Sequence, residues 1–527
     1  MKYAVLLLLS AFLVPGPYAE RPSNGLAVQK LCREARAQLD KGNYAQALAA
    51  AAEALKLNAR SAEAQTLAGQ SDFALGNLPD AEKHLQEALK IDPARTDARR
   101  ALGASYLKQK RFKAAQGQFE AVLRSQPNDV ACLYGLGFSL LSQNEPSLAL
   151  EQLSRAHRLN PSDPEILTGM LEAHLELGQP TQAESALTEL NRLLANDYRQ
   201  QLQVAAFLVQ TGAYELAIVQ FKQLLKARPD SYELNYDLAL AYHRAGKEDE
   251  SAAQIHKMLA QKDAAELQSL LGEVEETRNH YPQALAAYRQ AAVLQPKNEE
   301  YQLDYATELA RHWDPNEALK VFAAGVKSFP NSAAFRMGLG GCYYLAGKYK
   351  EAAETLLHAS KLAGNNPNLY ALLGLTYDAA GPLQNAIEQR LAAYLKMHPD
   401  DALSHYFYGR ILLAKVTGKS DASLDQAQSE LDRAIKLRPD LVQAHLELAK
   451  LLRMRNDTTA ARTQLETVVR LDPQSSEAYY QLMQVYRKLG QPKEAAMAAE
   501  KFRLLKSSKG KGTNQEQVRK LLGGAKH

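Results

Sequence analysis

Runs of β-branched and aromatic residues of the strand-building kind are scarce in this chain of 527 residues, so a sheet-based fold is not expected. Tryptophan occurs once, as Trp313, and cysteine three times, as Cys32, Cys132 and Cys342. The twelve histidines include no His-Glu-x-x-His and no pair three or four apart, and no Cys-x-x-Cys occurs. No metal-site spacing can therefore be read. Gly418-Lys419-Ser420 ends like a phosphate-binding loop, but Leu413 stands where that loop needs its first Gly. Gly137-Phe138-Ser139 lacks the second Gly of a nucleophile elbow, having Leu141 there. No catalytic, cofactor or metal residue is assigned. Beyond the first residues there is no long apolar run, so no transmembrane segment is expected. Neither sign of charge dominates: the formal net charge is +4.

Alanine and leucine are abundant instead, with Glu, Gln, Lys and Arg between them. These are strong helix formers, and the expected class is all-α. At the start, Lys2 precedes an eleven-residue apolar run, Ala4–Val14, and Pro15-Gly16-Pro17 breaks any helix before the small residue Ala19. This is the signal-peptide pattern, with Pro17 an unusual residue two before the cut. Residues 1–19 are read as a signal peptide and 20–25 as a short linker, which makes the chain exported, periplasmic or secreted. No Cys follows the run, so a bacterial lipid anchor is not expected. At the other end, 508–527 is a basic tail. From Lys501 on there are eight basic residues and one acid, Glu516, a net of +7 that leaves −3 for the rest. Such a tail suits an anionic surface, but a solubilising end is the default reading, and no nucleic acid is expected as partner.

One small residue recurs with a fixed period. Ala47, Ala81, Ala115, Ala149, Ala183 and Ala217 are 34 apart, and Ser251 continues the series. Ala284 follows after 33, then Ala318, Ala352 and Ala386 after 34 each. After a gap of 41 come Ala427, Ala461 and Ala495. That makes about 14 units over residues 26–507. A Gly often sits five before this residue, as at Gly76 and Gly347, and a small residue twelve before, as at Gly69, Gly103 and Gly340. Nine before it a Tyr is frequent (Tyr106, Tyr242, Tyr343, Tyr377), and a Pro closes many units twelve after it (Pro93, Pro127, Pro330). Each unit thus reads as one antiparallel helical hairpin. The Gly ends the first helix. The Ala lets two backbones approach, bulky residues four later (Leu85, Phe119, Phe322) fill the gap, and the Pro stops the second helix.

These marks resemble the tetratricopeptide repeat (TPR) family over about nine tenths of the chain. The family's Trp early in the first helix is missing throughout, and Leu171 replaces the small residue in the fifth unit. The resemblance implies a right-handed superhelical solenoid of helical hairpins that stack into one core. Neighbouring helices lie about 8–10 Å apart, whereas a disulfide needs Cα atoms within about 7 Å. Cysteines three and six units apart should therefore be free, buried thiols on first helices. The twelfth unit carries about six extra residues near Val416–Asp421, read as a loop. Thr513 and Glu516 form a capping box, and Asn514–Leu522 reads as a short terminal helix that covers the end of the stack.

The resemblance further implies a non-enzymatic scaffold or adaptor that binds a protein or peptide in its concave face. An accessory subunit of a cell-envelope assembly or polysaccharide-export machine is the same reading with a named client. TPR-associated transferases carry a catalytic domain after the repeats, and the roughly 20 residues that follow here are too few for one. The Lys, Asn and Arg clamp of chaperone-receptor adaptors is not matched by Gln29, Cys32, Arg36, Glu63, Thr66 and Gln70. In the proteins this chain resembles, positions 15, 11 and 8 before the signature residue line the groove. That stripe holds Tyr134, Phe138, Tyr236 and Tyr344, and Tyr406, counted forward from the start of the twelfth unit, joins them as candidate protein-binding residues. It is acidic in the fifth and eighth units (Glu165, Glu172, Glu266, Glu273, Glu276) and basic in the last two (Lys450, Arg453, Arg487). The leader generates the first prediction. N-terminal sequencing of the chain recovered from cell fractions should give a start near residue 20, outside the cytoplasm. Recovery in the cytosol with Met1 or Lys2 intact would refute the leader.

Overall fold

The computed structural model describes residues 24–416, 421–507 and 513–523. The signal-peptide segment 1–19, most of the 20–25 linker, the centre of the repeat-12 insertion and the linker 508–512 lie outside them. Among the described residues the chain is helix and turn, without a strand. The described residues hold twenty-nine α-helices, which follow one another along the chain as successive first and second helices, with α29 (Thr513–Gly523) left over. Odd-numbered helices are the first of each pair and even-numbered ones the second. The chain forms two compact bodies, one ending at Ala245 and one starting at Gly246. The division falls in the turn of repeat 7, between α13 (Tyr232–Arg244) and α14 (Glu248–Leu259).

In the first body, α5 (Thr96–Lys108), α6 (Phe112–Ser125) and α7 (Val130–Leu141) show the packing rule. Ala115, Phe119 and Val122 recur at helical spacing on one face of α6 and are fully buried. The Phe119 ring lies between two glycines of different repeats. A Cβ on Gly103 of α5 would stand 2.7 Å from Phe119 Cε1, and one on Gly135 of α7 would stand 2.6 Å from its Cζ. Leu153 sits in the same way between Gly137 and Gly169. In the second body Phe322 meets Gly338, and Leu356 meets Gly340. The signature alanine brings backbones close: a Cβ on Gly69 would lie 3.1 Å from the Ala81 carbonyl oxygen. One buried ion pair also joins neighbouring repeats. Arg100 of α5 meets Asp129, the N-cap of α7, at 2.7 Å, with both side chains under a tenth exposed.

The turns are equally regular. Gly76 takes φ +87° and Gly347 φ +73°, the left-handed conformation that closes a helix. Where Gly is lacking, the same position keeps this conformation in Lys110, Asn144, Asn279 and Asn456, at φ 59–62°. After each such residue the next backbone N–H reaches back to close the first helix, as Arg111 does to the Tyr106 carbonyl at 2.9 Å. First helices often begin with a Ser, Asp or Asn side chain that accepts a backbone N–H, as Ser61, Asp129 and Ser332 do.

The structure departs from the sequence reading in two places. In repeat 11 the buried signature position is Ile387, fully enclosed, while Ala386 is only half-buried. Here α21 (Pro367–Thr376) is short and is followed by two 3-10 turns, Tyr377–Ala379 and Gly381–Leu383. Pro382 in the second turn has no N–H to close a helix, so α22 (Gln384–Met397) starts one residue late. The terminal helix also lies elsewhere than over the end of the stack. It packs on α17 (Glu299–His312), α19 (Ala333–Leu345) and α21, the first helices of repeats 9 to 11. The three cysteines are buried free thiols on first helices. Burial pushes the Cys32 thiol up to about 11 and Cys342 to about 12.

The shared wedge and the turn generate a pair of predictions. Phe119→Ala should destabilise the chain by about 3–5 kcal/mol, because the cavity opens between two repeats. Lys110→Gly should stabilise it by up to about 1 kcal/mol, because it relieves a left-handed lysine. Denaturant midpoints of the purified variants measure both.

Candidate functional surface

A stripe on the first helices is the candidate site. It runs along the side chains at i, i+4 and i+7, which share one helical face. In the first body the structure places Tyr134 and Phe138 on α7, and Tyr236 on α13. Phe138 and Tyr236 are half-buried, whereas Tyr134 is only 8% exposed. Between them, α11 (Tyr198–Gln210) adds Leu202 and Val209, exposed by 39% and 36%. This aliphatic pair lies on the stripe of repeat 6, 15 and 8 positions before Ala217, and carries no aromatic mark in the sequence. In the second body Tyr344 is half-buried on α19, its ring edge-on to Tyr349 at 5.1 Å. Tyr406, on α23 (Ala402–Ala414), is 8% exposed and packs on Phe407 at 4.8 Å.

The acidic character is concentrated on α9 (Pro164–Glu176). Glu165 is half-buried and its Oε2 has no hydrogen-bond partner among the described residues. Burial, followed by the charge of Asp163, pushes its carboxyl up to about 7. Burial and then Glu176 raise Glu172 above the usual range. Tyr134 is raised by burial, then by the charges of Glu165, Asp163 and Glu172. On α13, burial and then Glu233 raise Asp237. Among the described residues no ion pair is recorded for these carboxylates, a setting that favours an incoming cation.

Two of the basic positions of the last repeats, Arg453 and Lys450, are engaged within the chain. Arg453 donates to Gln481 and Gln484, and Lys450 pairs with Glu447 at 3.5 Å. Glu276, Glu308 and His312 bring possible metal-ligand atoms within 4.8 Å of one another. Glu276 is already paired with the Arg311 guanidinium, and His312 stacks on Tyr281 at 3.8 Å. The arginine offsets Glu276, and the cluster is read as part of the packing.

The raised Glu165 carries a pH prediction. The folded chain keeps a proton that the unfolded chain releases, so this group's contribution is fully present below about 4.5 and is lost as pH rises towards about 7. Glu165→Gln should leave the denaturation midpoint unchanged at pH 4 and raise stability by about 1–2 kcal/mol at pH 8.

Comparison with known proteins agrees with this architecture. A family model described as tetratricopeptide repeat matches residues 72–136, 140–206, 208–274, 309–375 and 421–486, and a second model of the same description matches 32–96. A TPR repeat-containing protein of Treponema pallidum (strain Nichols) is 24% identical over 216 residues, which is 35% of this chain and 26% of that protein. The match thus spans about a quarter of the relative's length. Among solved structures, the APC/C hetero-tetramer Cut9-Hcn1 gives a TM-score of 0.37 at 14% identity, covering 88% of this chain and 98% of that one. Yeast Tom70 gives 0.33 at 18% identity, covering 88% and 95%. MamA from Desulfovibrio magneticus RS-1 gives 0.31 at 21% identity, covering 32% and 97%. With one model matching more than half of the residues, the chain belongs to the tetratricopeptide repeat family.

Proposed function

We propose that this protein is an exported, non-catalytic scaffold that holds a protein or peptide segment along the stripe of its first helices. The observation that carries this reading is the surface of α7, α9, α11 and α13, where apolar side chains stand beside crowded carboxylates. Leu202 and Val209 are over a third exposed, and Phe138 and Tyr236 are partly so. Apolar anchors of this kind supply binding energy, and the carboxylates supply orientation. The fitting occupant is a segment with apolar residues and Lys or Arg among them. Its cations would let Glu165 ionise, so binding at neutral pH would release a proton. Export rests on the leader at residues 1–19. The client is the open variable, and a cell-envelope assembly is the reading that matches the leader.

A pull-down from envelope fractions with the mature chain tests this. Once a client is captured, Phe138→Ala and Tyr236→Ala should each weaken binding by about 1 kcal/mol or more, with the melting midpoint nearly unchanged. Tyr134→Ala should lower the melting midpoint, because its ring is enclosed. A fall in melting for Phe138→Ala with affinity intact would place that residue in the core and sink the stripe.

A further inference from the structure

In the second body the stripe is already occupied by the chain itself. Helix α29 lies on α17, α19 and α21, three successive first helices. Its Val518, Leu521 and Leu522 fall at i, i+3 and i+4, and each is under a tenth exposed. Each of the three helices has one small stripe position, Ala310, Gly341 and Ala371. The three nearest atoms that a Cβ on Gly341 would meet all belong to Leu522, the first at 2.6 Å. The glycine is therefore a socket for that leucine and has no part in the wedge between hairpins.

A second, polar contact fixes the register. Arg519 Nη1 donates to the carbonyl oxygens of Arg311 at 2.8 Å, Ala310 at 3.1 Å and Trp313 at 3.4 Å. These oxygens end α17, where a helix presents partial negative charge. The turn that carries them departs from the others. Trp313 takes φ −124°, whereas the same position is left-handed in every other repeat but the twelfth, whose turn lies partly outside the described residues.

We propose that this trough on α17, α19 and α21 is a binding site for an amphipathic helix, and that α29 is its resident occupant in cis. The partner has aliphatic residues at i, i+3 and i+4 and an arginine at i+1, as in Val518-Arg519-Lys520-Leu521-Leu522. The leucine enters the Gly341 socket and the arginine caps α17, so a partner helix binds by displacing α29. This rests on the scaffold reading, but its test needs no client, so a failed client search leaves it standing.

The test uses the full chain and a fluorescein-labelled peptide of residues 513–523, read by anisotropy. Wild type should bind the peptide poorly, because the tethered helix competes at a high effective concentration. The Val518→Asp/Leu522→Asp chain should bind it at least tenfold tighter. Adding Gly341→Leu to that variant should return binding to the wild-type level, while the circular dichroism and melting midpoint of Gly341→Leu stay intact. Arg519→Ala, a milder change, should give an intermediate gain. Equal binding by wild type and the undocked variant would overturn the proposal, as would binding that ignores Gly341→Leu. A wild-type dimer that dissociates in the undocked variant would also overturn it, since α29 would then be exchanged between copies.

Discussion

The fold depends on one contact that recurs in many repeats: a bulky side chain of a second helix pressed against a glycine of a first helix, and at Phe119 and Leu153 between two such glycines. Phe119 shows it fully, with Gly103 on one side and Gly135 on the other. A single hairpin can supply only one of these walls. The ring is dry only when the next repeat is in place, which is why the hairpins stack and do not fold as separate beads. Helix propensity makes the helices possible. The shared wedge sets their spacing.

Much of this was legible in the residues. The period of the signature alanine marked the hairpins, and the Gly five before it marked the turns. Lys110 and the three asparagines at that position show that the turn is a backbone requirement and the glycine only its usual solution. The one-residue slip at Ala386 was hidden. Both Ala386 and Ile387 fit a helical face, and only the 3-10 turn at Gly381-Pro382 decides between them.

The surface was less legible than the core. A stripe position says which way a side chain starts out, not what covers it. Tyr134 and Phe138 occupy equivalent faces, yet one is enclosed and the other partly open. Leu202 and Val209 carry no aromatic signature and were passed over, although they are the more exposed pair. The terminal helix could be read from its capping box and its leucines. Its seat could not, because that depends on Gly341 and on the Trp313 turn, about two hundred residues away in the chain.

The wedge also limits how such a chain can change by gaining or losing whole repeats. Phe119 needs a glycine on the first helix that follows it, fourteen positions before that repeat's signature alanine. Gly135 fills that place in repeat 4 and Gly169 in repeat 5. Excision of repeat 4 alone would therefore leave Phe119 with a fitting wall. Excision of repeats 4 and 5 together would put Gln203 in the glycine's place, where a Cβ would stand 2.6 Å from Phe119 Cζ. Neighbouring repeats in this protein are matched as pairs, and their order carries structural information that their individual sequences do not.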